Sequence, residues 1–549
     1  MISSAPIHPV MIVNQTGTPY IVKYKNEWID GRSRCVSRKT IGKLDGKQVI
    51  FGRKFLKENP QYQGLNAIYE NNRIVFVEDN PDVLNFLQLA QKCRMVEAGA
   101  SYVLNEVAQQ SGLAADLEAV FPHTHQDLLS LAIFFILQPE SSVCSFETFA
   151  EKTWLPGQKA LNPSAITRLF QSISDDERFE YMRRRAAHSH DLSDHSYWAF
   201  DTTSISTFSK TIRKARYGYN KEDDALPQVN VALLIDEFSG EPIYYKTLDG
   251  SLNDSVLLRN LFLELSQLDL EAINVVMDRG FCSMNNLLTM YKEDIGFIVG
   301  ARRRLDLIKP AFNRIRPQLK LCIPRAYHPE IDAYCQTDCS PWMLNSRASG
   351  KDEKKLYTHI YYSKTKEAAD IQTATCMIKD YETKLKETGK PVDDRWFRRF
   401  FKKTSNNRWE PDDLAWIEYC ETAGFTVLLS NEVSNPVTAM QIYRHRDIVE
   451  KAFCNFKDRC SARRFQCEEL ALEGKVFVLY VALSLLLMLK KRLSKEKLSS
   501  DSTPKYLEQL GAIKLCRIDG TTKRYWQELS KQDRKLIEMA KVDLPKSII

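Results

Sequence analysis

The sequence predicts a mixed α/β chain of several domains, and three observations carry that expectation. Short apolar strands ending on acidic residues alternate with amphipathic helices between 197 and 430. A β-rich, basic stretch and then a helical one precede them. A helix with a polar stripe, YRHRDIVEKAFCNFK from Tyr443 to Lys457, follows them. At 549 residues the chain is too long for a single core.

The bulk properties narrow the class. Hydrophobic residues make up 44% and charged residues 27%, which excludes a disordered or collagen-like chain. A net charge of +7 is permissive of a nucleic-acid partner without proving one. Thirteen cysteines without a CxxC pair suggest free thiols in a reducing compartment. The opening MISSAPIHPV has neither the basic nor the apolar segment of a signal peptide. The run VFVLYVALSLLLML is closed by Lys475 and Lys490 and falls short of the roughly 20 residues a membrane span needs, so a buried core helix is expected.

Taken in order, residues 1–80 read as β-rich, with turns at Asp30-Gly31 and Asp45-Gly46 and a frequency of Lys and Arg compatible with DNA contact. Residues 81–190 turn helical. LNEVAQQSGLAADLEAVF reads as helix, Gly112 turn, helix; DLLSLAIFFILQ as a buried helix; Asn162-Pro163-Ser164 as a helix start. Helical hairpins of this kind can bind DNA ends, though plain bundles are commoner. Arg183, Arg184 and Arg185 read as a solvated face.

Residues 191–300 carry the first α/β block. SYWAFDTTSIST is expected to be a strand ending on Asp201, and QVNVALLIDEFSG with EPIYYKTLDG a hairpin around Ser239-Gly240. SVLLRNLFLELSQL reads as an amphipathic helix, INVVMDRG as a strand stopping at Asp278, and GFIVGARR as another buried strand. Residues 301–420 read as an inserted subdomain containing Trp396, Trp409 and Trp416, residues 421–491 as a return to the buried-strand style, and 492–549 as a charged helical tail.

Tyr443, Arg446, Glu450 and Lys457 fall on one stripe of a continuous helix at about 100° per residue. A phenol, a guanidinium, a carboxylate and an ammonium together make a poor core and a good environment for a metal ion and a phosphate. Asp201 and Asp278, at strand ends, would add two carboxylates where α/β sheets commonly place active sites. Three carboxylates without matching bases suit hard divalent cations. Two such ions about 3.5–4 Å apart can activate a hydroxyl and stabilise a leaving oxygen in phosphodiester displacement.

The spacing of these four residues matches, without a gap, the Y-x2-R-x3-E-x6-K signature of DDE transposases of the insertion-sequence-4 kind, which the chain resembles. AFDTTSI is similar to that family's first-Asp strand, QVNVALLID with EPIYYKTLDGSLND to the hairpin after it, and VVMDRGFCSMNNL with GFIVGAR to its second-Asp block. GFTVLLSN is similar to the strand before its Glu helix. The likeness covers roughly 200–490, and KTIGKL together with the chain length resembles the large insertion-sequence-1634-like subgroup.

The resemblance implies an RNase H-like catalytic core with a mostly β insertion, preceded by a β-rich then helical N-terminal region and followed by a helical tail. It implies Mg²⁺-dependent cleavage of element ends, with two ions and with Mn²⁺ able to substitute. The freed 3′-hydroxyl is then joined to target DNA, in a cut-and-paste scheme. Carried over by position, Asp201, Asp278 and Glu450 would be catalytic and hold the metals, and Tyr443, Arg446 and Lys457 would grip DNA phosphates. Arg279 would reach phosphate beside Asp278. In relatives a hairpin-end base is flipped onto a tryptophan of the insertion, and Trp396 and Trp409 are the candidates here. The implied partners are element ends, target DNA and a second copy in a homodimer, in a prokaryotic cytoplasm at the nucleoid and away from membranes. The alternative is an inactive or domesticated relative that binds DNA without cutting. One departure is Gly474-Lys475, where many relatives carry Gly-His; it leaves the three carboxylates untouched.

Overall fold

A computed structural model of the chain describes residues 7–15, 18–63, 65–77, 93–157, 159–190, 197–218, 225–251, 258, 261–262, 264–265, 273–343, 353–404, 408–494, 502–518 and 524–546. Most of the amphipathic helix expected over SVLLRNLFLELSQL lies outside the described residues. The chain divides into two compact units, Met1–Arg94 with Ile518–Thr522, and Met95–Arg517 with Lys523–Ile549.

The first unit is the β-rich region. Six antiparallel strands lie in chain order: β1 (Val10–Gln15), β2 (Thr18–Ile29), β3 (Arg32–Asp45), β4 (Gln48–Phe51), β5 (Asn66–Glu70) and β6 (Arg73–Val77). Ile21, Ile41, Ala67 and Ile74 make a small core, joined by Phe55 from the short helix Arg53–Glu58.

The second unit opens within strand β7 (Cys93–Glu97). The helices expected after it are present. Gly112 takes φ +75 between Gly99–Gln110 and Leu113–Val120, a left-handed position that suits glycine. Asn162 Oδ1 accepts from Ala165 N at 2.9 Å and starts the helix Pro163–Ser172. Arg185 corrects the solvated-face reading. Its guanidinium is buried, 3.2 Å from Asp116 Oδ2 and 2.6 Å from Glu241 Oε2, while Arg183 and Arg184 stay outside on Glu180. Arg185 occupies the inward turn of the helix Asp175–His190, and partner carboxylates make its burial tolerable.

A ten-stranded mixed sheet forms the centre of this unit. Its strands are β8 (Tyr197–Thr207), β9 (Gln228–Asp236), β10 (Pro242–Asp249), β11 (Asn274–Met277), β12 (Gly296–Gly300), β13 (Tyr327–His328), β14 (Ala333–Met343), β15 (Glu353–Tyr362), β18 (Phe425–Ser430) and β19 (Arg464–Phe465). A separate small hairpin pairs β16 (Phe401–Lys403) with β17 (Trp409–Pro411). The order is β10-β9-β8-β11-β12-β18-β15-β14-β13, with β19 beside β8. The β8–β11 and β11–β12 pairs are parallel, and the hairpins on either side are antiparallel. Burial on both faces explains the unbroken apolar runs. Val275, Met277, Phe297 and Val299 join the main core on one face, whereas Val276 and Ile298 pack on the other with Ala439 and Met440.

The insertion differs from expectation. Its largest described element is a helix of 25 residues, Lys364–Thr388, and three further helices accompany it, so it is not mostly β. The strands β14 and β15 also do not stand apart: β15 pairs β18, so they extend the central sheet. The β-branched and aromatic run LYTHIYY finds an open edge on β18 and is buried there. The described tail beyond 492 mixes the helices Thr503–Gly511 and Lys531–Met539 with the strands β20 (Lys514–Ile518) and β21 (Arg524–Trp526), and so is not wholly helical.

The apolar run becomes a helix of 26 residues, Glu469–Ser494, long and apolar enough by length and composition to cross a membrane. In its most apolar stretch 89% of residues are buried inside the protein, as expected of a core helix. All thirteen cysteines are free thiols.

Candidate active site

The site grows from the register of two parallel strands. Phe200 of β8 stands beside Met277 of β11, so the next residues, Asp201 and Asp278, are neighbours at one level of the sheet. β11 ends at Met277 while β8 runs on to Thr207, which corrects the expectation that the strand stops at Asp201. β8 continues because its other edge stays paired to β9 through Ser206–Gln228. Asp201 therefore sits mid-strand, beside the place where its parallel neighbour falls away. Thr202 N donates to Asp201 Oδ1 at 2.8 Å and orients the carboxylate.

The signature segment is two helices, not one. Pro436–His445 ends at Arg446, and Asp447–Arg459 begins there. Arg446 N bonds Tyr443 O at 3.3 Å and Val449 N bonds Arg446 O at 3.1 Å, three-residue spacings that tighten the chain locally. The single stripe is thus broken at its guanidinium. The break aims Tyr443 and Arg446 at the two aspartates, while Val449, Ala452, Phe453 and Phe456 bury the second helix.

The structure brings most of the expected residues together. Tyr443 Oη donates to Asp278 Oδ1 at 3.2 Å, across 165 positions of chain. Burial first, and then the Asp278 charge, push the phenol up to about 12, so it remains a proton donor. Gly300 makes room for it: a Cβ there would meet Tyr443 Oη at 2.7 Å. Arg446 Nη2 donates to Glu450 Oε1 at 2.8 Å, and Nη1 lies 3.9 Å from Asp201 Oδ2. Burial opposes the Arg446 charge, but Tyr443, Asp278 and Glu450 outweigh it and hold its pKa up. Its Nε and Nη1 are buried with no hydrogen-bond partner among the described residues. A cleft of about 310 Å³ borders Tyr443, Arg446, Asp447 and Glu450.

Arg279 is exposed beside Asp278, and Lys457 lies half-buried two turns beyond Glu450. Trp396 and Trp409 lie elsewhere, half-buried in the aromatic cluster of the insertion. Trp396 stacks on Phe400 at 5.6 Å and Trp409 meets the edge of Phe397 at 5.3 Å.

The donor set suits a hard divalent ion, being three carboxylates with oxygen atoms only. Among the described residues no three acidic, imidazole or thiol groups converge into a cage, and Arg446 stands between Asp201 and Glu450. Its guanidinium neutralises those two carboxylates, and its two unanswered nitrogens show that the arrangement leaves hydrogen-bonding capacity unused.

Glu237 was not singled out from sequence, although QVNVALLIDEFSG shows an acidic pair just past an apolar strand. Its Oε1 is buried without a hydrogen-bond partner. Burial, then the Asp236 and Asp447 charges, push its carboxyl up to about 8 against the pull of Arg446. Below the ordinary value of 4.5 both folded and unfolded states hold the proton. Between 4.5 and about 8 only the folded state keeps it, so stability falls as pH rises through that window. Glu237→Gln is therefore expected to be more stable than wild type by about 1–2 kcal/mol at pH 8, with no advantage at pH 4. Urea melts at the two pH values check this; an equal difference at both would contradict it.

The transposase DDE domain family matches residues 193–487 of the chain. The match spans all three carboxylates and the signature helices, and the chain belongs to this family: it is a DDE transposase. No curated protein matches it. Among solved structures, a piggyBac transposase synaptic complex with hairpin DNA is similar at 12% identity and a TM-score of 0.34, over 74% of this chain and 70% of that one.

Proposed function

We propose that this transposase cleaves the ends of an insertion sequence and joins the freed 3′-hydroxyl to target DNA by cut-and-paste, as a member of the insertion-sequence-4 kind and its 1634-like subgroup. One observation carries the reading. Asp201 on β8 and Asp278, the residue just past the end of β11, follow a directly paired couple, and the signature segment brings Tyr443 to Asp278 and Arg446, which also holds Glu450, to Asp201. The strand order β10-β9-β8-β11-β12, three antiparallel strands followed by two parallel ones, supports an RNase H-like core.

Asp201, Asp278 and Glu450 would hold two Mg²⁺ ions, or Mn²⁺ in their place. Bound there, the ions supply Lewis-acid activation of the attacking oxygen and charge stabilisation at the leaving one. The chain's own residues do the rest. Tyr443 orients Asp278 by donating to Oδ1 and keeps its own proton at neutral pH. Arg446 neighbours Asp201 and Glu450 and would turn its two unanswered nitrogens to a DNA phosphate. Lys457 and Arg279 add point charges along the same strand of DNA. Trp396 and Trp409 are proposed to take a flipped base; their packing in the aromatic cluster leaves each partly exposed.

The regional layout is proposed as expected from sequence: a DNA-contacting region over 1–80, end binding over 81–190, the core over 191–300 and 421–491 around the insertion at 301–420, and a tail at 492–549. Two copies are proposed to act as a homodimer on paired ends in a prokaryotic cell, at the nucleoid. The test is linear DNA bearing the repeats that flank the gene, incubated with wild-type protein and Mg²⁺. Nicks at the repeat ends and joined products are expected. End DNA that is bound but never nicked with Mg²⁺ or Mn²⁺ would leave only the reading as an inactive DNA-binding relative.

A further inference from the structure

The first unit carries a feature that its core does not use. β2 and β3 run past the sheet as a two-stranded ribbon, and every residue from Lys25 to Thr40 is exposed. The strands meet at Asp30-Gly31, with φ +52 and +77, a turn whose twist matches that of the strands. Beyond Tyr24 each strand extends about 17 Å, at about 3.4 Å per residue. A ribbon with both faces in water buries nothing that would hold it in place for its own sake.

Its side chains are not evenly divided. Lys23 stands opposite Lys39, Lys25 opposite Ser37, Glu27 opposite Arg34 and Ile29 opposite Arg32. Cross-strand partners share a face, so Lys23, Lys25, Arg32, Arg34 and Lys39 line one side against Glu27. The other side carries Arg38 and, near the tip, Trp28, which is 79% exposed. Among the described residues ion pairs reach only Lys25, through Glu27, and Lys39, through Glu58. Lys23 and Lys39 stand face to face as like charges; Glu58 answers Lys39, and among the described residues no ion pair reaches Lys23.

We propose that the β2–β3 ribbon is an arm that grips duplex DNA. A two-stranded ribbon fits a major groove about 12 Å wide, and the cations of one face lie at its walls within reach of phosphates. Trp28, at the tip, rests against sugar and base edges. The arm rests on the transposase reading for its ligand, and it contributes affinity common to all sequences, not recognition of one.

The test compares full-length wild type with K23A/R32A/R34A in binding a labelled duplex of about 30 base pairs and arbitrary sequence, without divalent ion, from about 50 to 300 mM KCl. Because all three positions are exposed, unchanged melting is expected. The variant should bind about 10–100-fold more weakly at low salt, and its slope of log K against log salt should be shallower by about 2–3. Trp28→Ala should weaken binding about 5–10-fold with the slope unchanged, as for loss of an uncharged apolar contact. Wild-type affinity and slope in the triple variant would overturn the arm. So would a variant that keeps DNA binding but loses self-association in sedimentation, since the ribbon would then serve a second copy. Cleavage is not read in this assay, so its failure would count against the catalytic reading alone.

Discussion

Asp201→Ala, Asp278→Ala and Glu450→Ala are each expected to lower the rate of DNA-end cleavage by about three orders of magnitude or more, with duplex binding preserved. On the proposed triad each change removes one oxygen-donor side chain from a set of three, and a hard divalent ion left with two would lose both affinity and position. A thousandfold loss corresponds to about 4 kcal/mol of transition-state stabilisation, within the range for one preorganised charge contact. The three variants should differ in the metal-free protein. Glu450→Ala frees Arg446 Nη2, and Asp278→Ala frees the Tyr443 phenol, whose pKa should fall back towards the ordinary range as the neighbouring negative charge disappears. Single-turnover cleavage of labelled ends, with binding measured alongside, checks the first part; ultraviolet titration of tyrosine checks the second. Normal cutting by Glu450→Ala would break the assignment of the triad.

Gly474→Ala is expected to destabilise the second unit by about 2–4 kcal/mol. A Cβ at this position would lie 2.0 Å from Phe170 O and 2.7 Å from its carbonyl carbon and Cα. These are backbone atoms of the helix Pro163–Ser172, so no rotamer change relieves the clash. Alanine gains about 1 kcal/mol in helix propensity over glycine, and overpacking commonly costs about 1–3 kcal/mol, more when backbone must move. With a contact this short the steric cost wins. The same helix, Glu469–Ser494, packs behind the signature helix in the main core, so cleavage should fall along with stability. Chemical denaturation checks the prediction, and a variant melting with wild type would refute it. The close approach also explains the glycine beside Lys475 without reference to chemistry. Lys475 itself is buried, donates to Gln466 O at 3.2 Å, and has its pKa lowered by burial.

Much of the second unit was legible in advance for local physical reasons. Short apolar runs such as NVVM and GFIVG, with β-branched residues and turn signals close by, favour buried strands over helices, and they are buried strands. Asn162-Pro163 and Gly112 mark helix ends through capping and positive φ, which depend on a few neighbouring residues. The mismatches fall where long-range pairing decides. β8 runs beyond Asp201 because β9 supplies a partner, and β15 joins the central sheet because β18 offers an edge. Arg185 is buried because Asp116 and Glu241 meet it from two other segments.

The active site divides along the same line. By itself the sequence singled out the residues proposed to carry chemistry: Asp201, Asp278 and Glu450 as carboxylates, with Tyr443, Arg446 and Lys457 at a spacing that side-chain geometry on a helix makes meaningful. Only the tertiary structure decided how they meet. The chain tightens at Arg446, so the signature is two helices, and the guanidinium stands between Asp201 and Glu450 while Tyr443 turns to Asp278. That outcome depends on charges and hydrogen bonds between segments distant in the chain, whose energies are set by separation and burial in space. Periodicity along the sequence records which face a residue takes, and carries no measure of that distance.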